Sequence, residues 1–283
     1  MEWLEGKWLE ENKVPIGKWS KNTVDWLTEN AQFVFTFIET VLEQVIQAIL
    51  FCLQTPPAFV VIAIACAIAW FTKKSVPLTI AVALGLLFII NQGYWEETTE
   101  TLTLVLASAL VCMAIGVPIG IFLAHHPRAY AVARPVLDLM QTLPTFVYLI
   151  PAIIFFGLGM VPGLVATVIF VIPAPIRLTQ LGIASTPKAM LEAGQAFGAS
   201  KSQLLWKVEL PSALPQIMAG LTQTIMLSLS MVVIAALVGA DGLGVPIVRA
   251  LNTVNTALGF EAGFVIVVVA ILLDRLLRVG ERA

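Results

Sequence analysis

EAGQAFGASKSQLLWKVELP, residues 192–211, is a polar island in a chain that is otherwise very apolar. It reads as two short helices separated by a glycine. Thr186 is placed to cap the first helix, with Pro187 at its first position, where a missing N–H costs nothing. Gly198 ends that helix, because a left-handed residue at a helix C-terminus is cheapest without a Cβ. Ser200 and Gln203 have the spacing of a capping box for the second helix. Leu210-Pro211 closes it, since the residue before a proline is pushed away from helical geometry. Long apolar runs on both sides place the pair at a membrane surface. Ala193, Gly194, Ala196 and Gly198 give it a small-residue face that another protein can approach closely.

Composition sets the class. Hydrophobic residues make up 59% of the chain and charged residues 12%, with mean hydropathy +0.92. A soluble domain carries about a quarter charged residues, so this chain cannot cover a water-facing surface and reads as all-α and membrane-embedded. The net charge of -2 says little about partners, and nothing in the sequence points to nucleic acid. Cys52, Cys66 and Cys112 lie inside apolar runs without metal-like spacing and read as small packing residues. The N-terminus is polar and acidic before any apolar run, unlike a cleavable secretory signal.

Residues 1–47 mix Trp3, Trp8, Trp19 and Trp26 with charges of both signs. Val24, Leu27, Ala31, Val34, Phe35, Ile38, Leu42, Val45 and Ile46 recur at helical spacing, which predicts an interfacial amphipathic helix; a soluble helix packed on a partner is the alternative. Spans need about 20 apolar residues. The candidates are 48–71, 76–90, 102–124, 136–156, 163–178, 214–238 and 260–277, of which the second and fifth are short. Residues 48–97 thus form two accessory spans ahead of a core at 98–283. Eleven of the 16 basic residues fall on one side: Lys73, Lys74, Arg128, Arg134, Arg177, Lys188, Lys201, Lys207, Arg275, Arg278 and Arg282. The opposite loops hold Glu96, Glu97, Glu100, Asp241 and Glu261 with Arg249. By the positive-inside rule, seven spans put the N-terminus outside, and the C-terminus and the segment 187–211 in the cytoplasm.

The motifs then carry a resemblance. Glu192-Ala193-Gly194, Gly198 and Val208-x-Leu210-Pro211 are similar to the EAA loop of bacterial ABC importer permeases, with Gly194 where a second alanine is usual. QTLPTFVYLIP at 141–151, MVVIA at 231–235 and GLG at 242–244 resemble the branch that carries glycine betaine, proline betaine or choline. The similarity runs from about Thr98 to the C-terminus. It implies a type I ABC importer permease fold in the bacterial inner membrane. The segment 187–211 would be the coupling helix, with Glu192, Ala193, Gly194, Phe197, Gly198, Leu210 and Pro211 meeting a separate ATP-binding subunit. Leu191 and Phe197 would help seat it. ATP and Mg would belong to that subunit, since Gly198-Ala199-Ser200-Lys201-Ser202 is no Walker A loop: no glycine precedes the lysine and no strand precedes the loop. The resemblance also implies an extracytoplasmic solute-binding protein that meets outer loops including 239–259, and a second copy of this chain.

The translocation path is less legible. Between residues 102 and 238 the spans carry one buried charge, Asp138, which argues against a proton- or sodium-coupled carrier. Aromatic and neutral polar walls suit a quaternary ammonium solute. Gln141, Thr145, Phe146 and Tyr148 lie on a span interrupted by Pro144 and Pro151, and Gln223, Thr224, Ser228 and Ser230 lie on the sixth span. Both groups have a second open reading as interhelical glue. His125 and His126 read as an interfacial pair that helps orientation, without a third metal ligand nearby. Asp274 and Arg275 read as a local pair. Three function classes are weighed: a permease subunit for compatible solutes or choline (or another small amine or amino acid), a stand-alone secondary transporter or channel, and a membrane enzyme. Uncharged spans disfavour the second, and the lack of an acid, base, metal or nucleophile cluster disfavours the third.

Overall fold

The computed structural model describes residues 15–277. Trp3, Trp8, Arg278 and Arg282 lie outside them. The described residues form fourteen α-helices in chain order: α1 (Ile16–Asn30), α2 (Gln32–Gln54), α3 (Ala58–Lys73), α4 (Val76–Asn91), α5 (Trp95–His125), α6 (Pro127–Thr142), α7 (Phe146–Phe156), α8 (Met160–Val171), α9 (Pro173–Ala184), α10 (Lys188–Ala196), α11 (Lys201–Leu204), α12 (Leu210–Ala235), α13 (Gly244–Thr253) and α14 (Thr256–Leu277). A π turn at Leu205–Glu209 joins α11 to α12, and a 3-10 turn at Ala236–Val238 extends α12.

Among the described residues five stretches are long and apolar enough to cross a membrane: α2, α5, α8 with α9 (Met160–Ala184), Lys201–Val238 and α14. The pair α6 and α7 makes a sixth if taken as one span, bent by 94°. The expected span at 136–156 is thus sharply bent, at Leu143-Pro144-Thr145, because proline removes a donor and disfavours helix before it. Pro151 leaves α7 unbroken.

The N-terminal third differs from the expectation. The amphipathic helix ends at Asn30, and Gln32–Gln54 is a span of its own. The stretch 48–71 is not one span, because Pro56-Pro57 interrupts it after Gln54. The boundary drawn at 47/48 falls inside α2. Glu39, Glu43, Gln44 and Gln47 dilute the apolar signal of α2, while Leu42 and Ile46 pack in one cluster with Ala107 of α5 and Leu164 of α8. Helices α3 and α4 are 16 residues each and shorter than the other spans.

The centre is a unit of α5, α9 and α12 held at close range by small residues. A Cβ on Gly120 of α5 would lie 2.7 Å from the carbonyl oxygen of Ile176, so the two backbones all but touch. A Cβ on Gly182 of α9 would meet Ala213 and Gln216 of α12 at 3.0 Å. Close approach through small residues replaces the hydrophobic drive that lipid does not supply. Leu104, Val105, Ile225, Leu229, Val232, Val265 and Val269 form the largest core cluster, from α5, α12 and α14.

Hydrogen bonds between helix ends define two faces. On one, Gln54 Nε2 donates to Thr99 Oγ1 at 3.0 Å, Leu243 N–H donates to Thr101 Oγ1 at 2.8 Å, and Gly159 N–H donates to the Val238 carbonyl at 2.9 Å. This face gathers the end of α2, the start of α5, the start of α8 and the end of the α12 span. The opposite face holds the end of α5 and the α10–α11 hairpin, where His125 meets Glu209.

Candidate functional site: the hairpin between α9 and α12

The hairpin is built from local signals that mostly agree with the sequence. Gly198 sits at φ +77, its N–H donates to the Gln195 carbonyl at 2.9 Å, and Ala199 N–H donates to the Gly194 carbonyl at 3.0 Å. Those two bonds close a Schellman motif, which satisfies the last carbonyls of α10. Ser200 Oγ accepts from Gln203 N–H at 3.3 Å, and Gln203 Oε1 accepts from Ser200 N–H at 2.8 Å. This is the expected capping box. The turn between the two helices is therefore fixed from both sides.

Three expectations fail here. Thr186 does not cap α10: Pro187 occupies the N-cap position and makes no side-chain cap, while Thr186 is buried and its Oγ1 has no hydrogen-bond partner among the described residues. The second helix does not end at Leu210-Pro211. It runs on through the π turn, where Leu210 N–H bonds the Leu205 carbonyl, into a continuous stretch Lys201–Val238. A proline in a regular helix clashes with the carbonyl four residues back, and the widened turn just before Pro211 relieves that conflict. Finally, the small-residue face is divided. A Cβ on Gly194 would lie 2.6 Å from Leu204 Cδ2, so Gly194 faces into the hairpin and seats α10 on α11.

The outer surface of the hairpin carries Glu192, Ala193, Ala196 and Phe197, all exposed. The Phe197 ring is 93% exposed, and Met190 of α10 and Trp206 of the π turn are exposed as well. Leu191 and Leu210 are half-buried, and Pro211 is exposed. Trp206 was missed because its helix reads as polar from the lysines around it.

The path candidates separate. Tyr148 is buried and donates its hydroxyl to the Met140 carbonyl at 2.7 Å, so it staples the bend between α6 and α7. Ser228 is buried and shares a 2.7 Å hydroxyl contact with Ser108 of α5, as well as donating to Thr224 O at 2.8 Å. Thr224 is also buried and bonds the Gly220 carbonyl. Gln141 and Thr145 are half-buried, while Phe146, Gln223 and Ser230 are exposed. Of these eight candidates, Tyr148 is thus engaged at the α6–α7 bend and Ser228 at the α5–α12 contact. Asp138 is exposed rather than buried; Arg177 of α9 donates to its Oδ1 at 2.6 Å, a link the sequence reading did not make.

His125 and His126 each use Nδ1 on the carbonyl four residues back, Ile121 at 2.9 Å and Phe122 at 2.8 Å. His125 Nε2 reaches Glu209 Oε2 at 2.9 Å. Among the described residues no group of three or more His, Cys, Asp or Glu side chains is placed to hold a metal ion.

A sequence profile of the binding-protein-dependent transport system inner membrane component family matches residues 116–283. The chain belongs to that family. It is 44% identical over 266 residues to the glycine betaine/carnitine transport permease protein GbuB of Listeria monocytogenes, covering 93% of this chain and 94% of that one. It is 43% identical over 264 residues to the glycine betaine transport system permease protein OpuAB of Bacillus subtilis, covering 93% of each. The fold matches the MetNI methionine ABC transporter in an inward-facing form, with TM-score 0.59 and 22% identity over 68% of this chain and 96% of that one. The expected type I ABC importer permease fold is therefore the observed one.

Proposed function

We propose that this chain is the membrane-spanning permease subunit of an ATP-driven importer for a quaternary ammonium solute of the glycine betaine class. The observation that carries the reading is the hairpin: capped at its turn, continuous with α12, and presenting Glu192 and Phe197 outward. A stiff projection of this kind converts the movement of an attached protein into movement of the spans. ATP and Mg are assigned to a separate ATP-binding subunit seated on that projection. Solute selection is assigned to an extracytoplasmic binding protein that meets the face around 239–259. The permease pairs with a second copy of itself to enclose the path. Identity of 43–44% to two glycine betaine permeases supports the solute class.

The hairpin face is proposed to be cytosolic, on the strength of its lysines and arginines. Helix α14 runs antiparallel to α4, with Phe88 against Phe264 and Gly85 against Leu272, so Leu277 lies towards that face. Helix α2 begins near the same face, because its other end meets Thr99. The extra span makes the crossing number even, and the proposal puts both ends of the described chain on the cytosolic side.

The test is reconstitution in liposomes with the ATPase subunit and the solute receptor. ATP-dependent accumulation of labelled glycine betaine, competed by choline or carnitine but not by methionine, is the expected result. Uptake without ATP, or uptake driven by an ion gradient, overturns the reading.

A further inference from the structure

We infer that His125 and Glu209 form a proton-bridged tie that makes α5 a second output of the hairpin, alongside α12. The inference rests on the hairpin being the point where the ATPase subunit pushes. His125 is the last residue of α5, and Glu209 is the last residue of the π turn that joins the hairpin to α12. Their side chains meet at 2.9 Å, with Glu209 largely buried and His125 more open.

The hydrogen bonds restrict the protons. A carbonyl can only accept, so Nδ1 of His125 must donate to Ile121. Nε2 then either donates to an ionised Glu209 or accepts from a protonated one. In both states one proton is shared between Nε2 and Oε2. Either way the pair is joined by one directional hydrogen bond of 2.9 Å between groups 84 positions apart.

Ile121 and Ala124 of α5 share an apolar cluster with Leu205 and Leu210 of the hairpin stem. The His125–Glu209 bond adds a directional polar link to that packing. It braces the π turn that Pro211 already favours: closing that turn to α geometry would rotate the stem by about 100° and shift it about 1.5 Å relative to α12, which would strain the bond at Glu209. The tie therefore keeps the hairpin, α5 and α12 in one register, and through Gly120 and Gly182 α5 and α12 both grip α9. His125 and Glu209 are positioning residues; neither meets solute or nucleotide in this scheme.

The experiment measures ATP hydrolysed per solute imported by the reconstituted transporter. His125→Ala and Glu209→Ala are each expected to raise that ratio at least fivefold. The double variant is expected to be no worse than the poorer single one, and His125→Gln, which keeps an N–H where Nε2 stands, to return within about twofold of the parent. Single variants within twofold of the parent, or single effects that multiply in the double, overturn the tie. A parent complex that imports nothing with ATP would instead refute the function proposed above. The tie is then decided on the purified chain: melting-temperature losses that fail to add support it, and additive losses overturn it.

Discussion

At Phe197 a large apolar side chain is left in the open at the tip of a nine-residue helix. Burying that ring against another protein would contribute about 2–3 kcal/mol. Phe197→Ala is expected to leave the melting temperature within about 1 °C and to weaken the ATPase subunit's binding tenfold or more in a pull-down titration. Gly198 is the complementary case. Its φ of +77 costs a residue with a Cβ about 1–2 kcal/mol, so Gly198→Ala should lower stability by about that amount. Glu192→Lys should leave the protein inserted and uncouple ATP hydrolysis from uptake; unchanged uptake would remove the coupling role. Gly194 was legible as a departure from the usual alanine, but its reason was not. The hairpin turn brings Leu204 Cδ2 to 2.6 Å from where a Cβ would stand, the movable end of a leucine that an alanine would push aside.

At the scale of elements, the polar residues of α12 are best understood from what lies across from them. Ser228 faces Ser108 at 2.7 Å inside the α5–α12 contact. Interhelical hydrogen bonds in membranes average about 0.6 kcal/mol, so Ser228→Ala should cost stability by about that much, and adding Ser108→Ala should cost little more. A double-mutant cycle on the melting temperature checks this. If Ser228→Ala instead altered solute affinity with stability unchanged, the hydroxyl would belong to the path. Gly120→Leu, by contrast, should fail to assemble, since even a Cβ there would lie 2.7 Å from a carbonyl oxygen that cannot retreat. Caps and turns were readable because they depend on residues three or four apart. The π turn was not, because its cue, Pro211, is equally the cue for a helix end.

For the whole molecule, the question is where the N-terminal helix lies. Hydropathy merged the end of α2 with α3 and gave seven crossings. Pro56-Pro57 and the Gln54–Thr99 bond split that stretch and return α2 to the hairpin face. A cysteine placed at Ser20 should therefore react with a membrane-impermeant thiol reagent only after the membrane is opened, in a variant whose own cysteines are replaced. Labelling in sealed cells would put that helix outside and restore an odd number of crossings.

Composition and short-range spacing were enough for the membrane class, for the capped hairpin at Gly198, Ser200 and Gln203, and for the family, whose motifs stand in order. How residues far apart in the chain meet is visible only in the folded molecule. It split the small-residue face at Gly194, turned Ser228 onto Ser108, and brought His125 to Glu209 across 84 positions. The reason is physical: helix caps and spans follow from local spacing, whereas which faces of two helices touch depends on packing that no single stretch encodes.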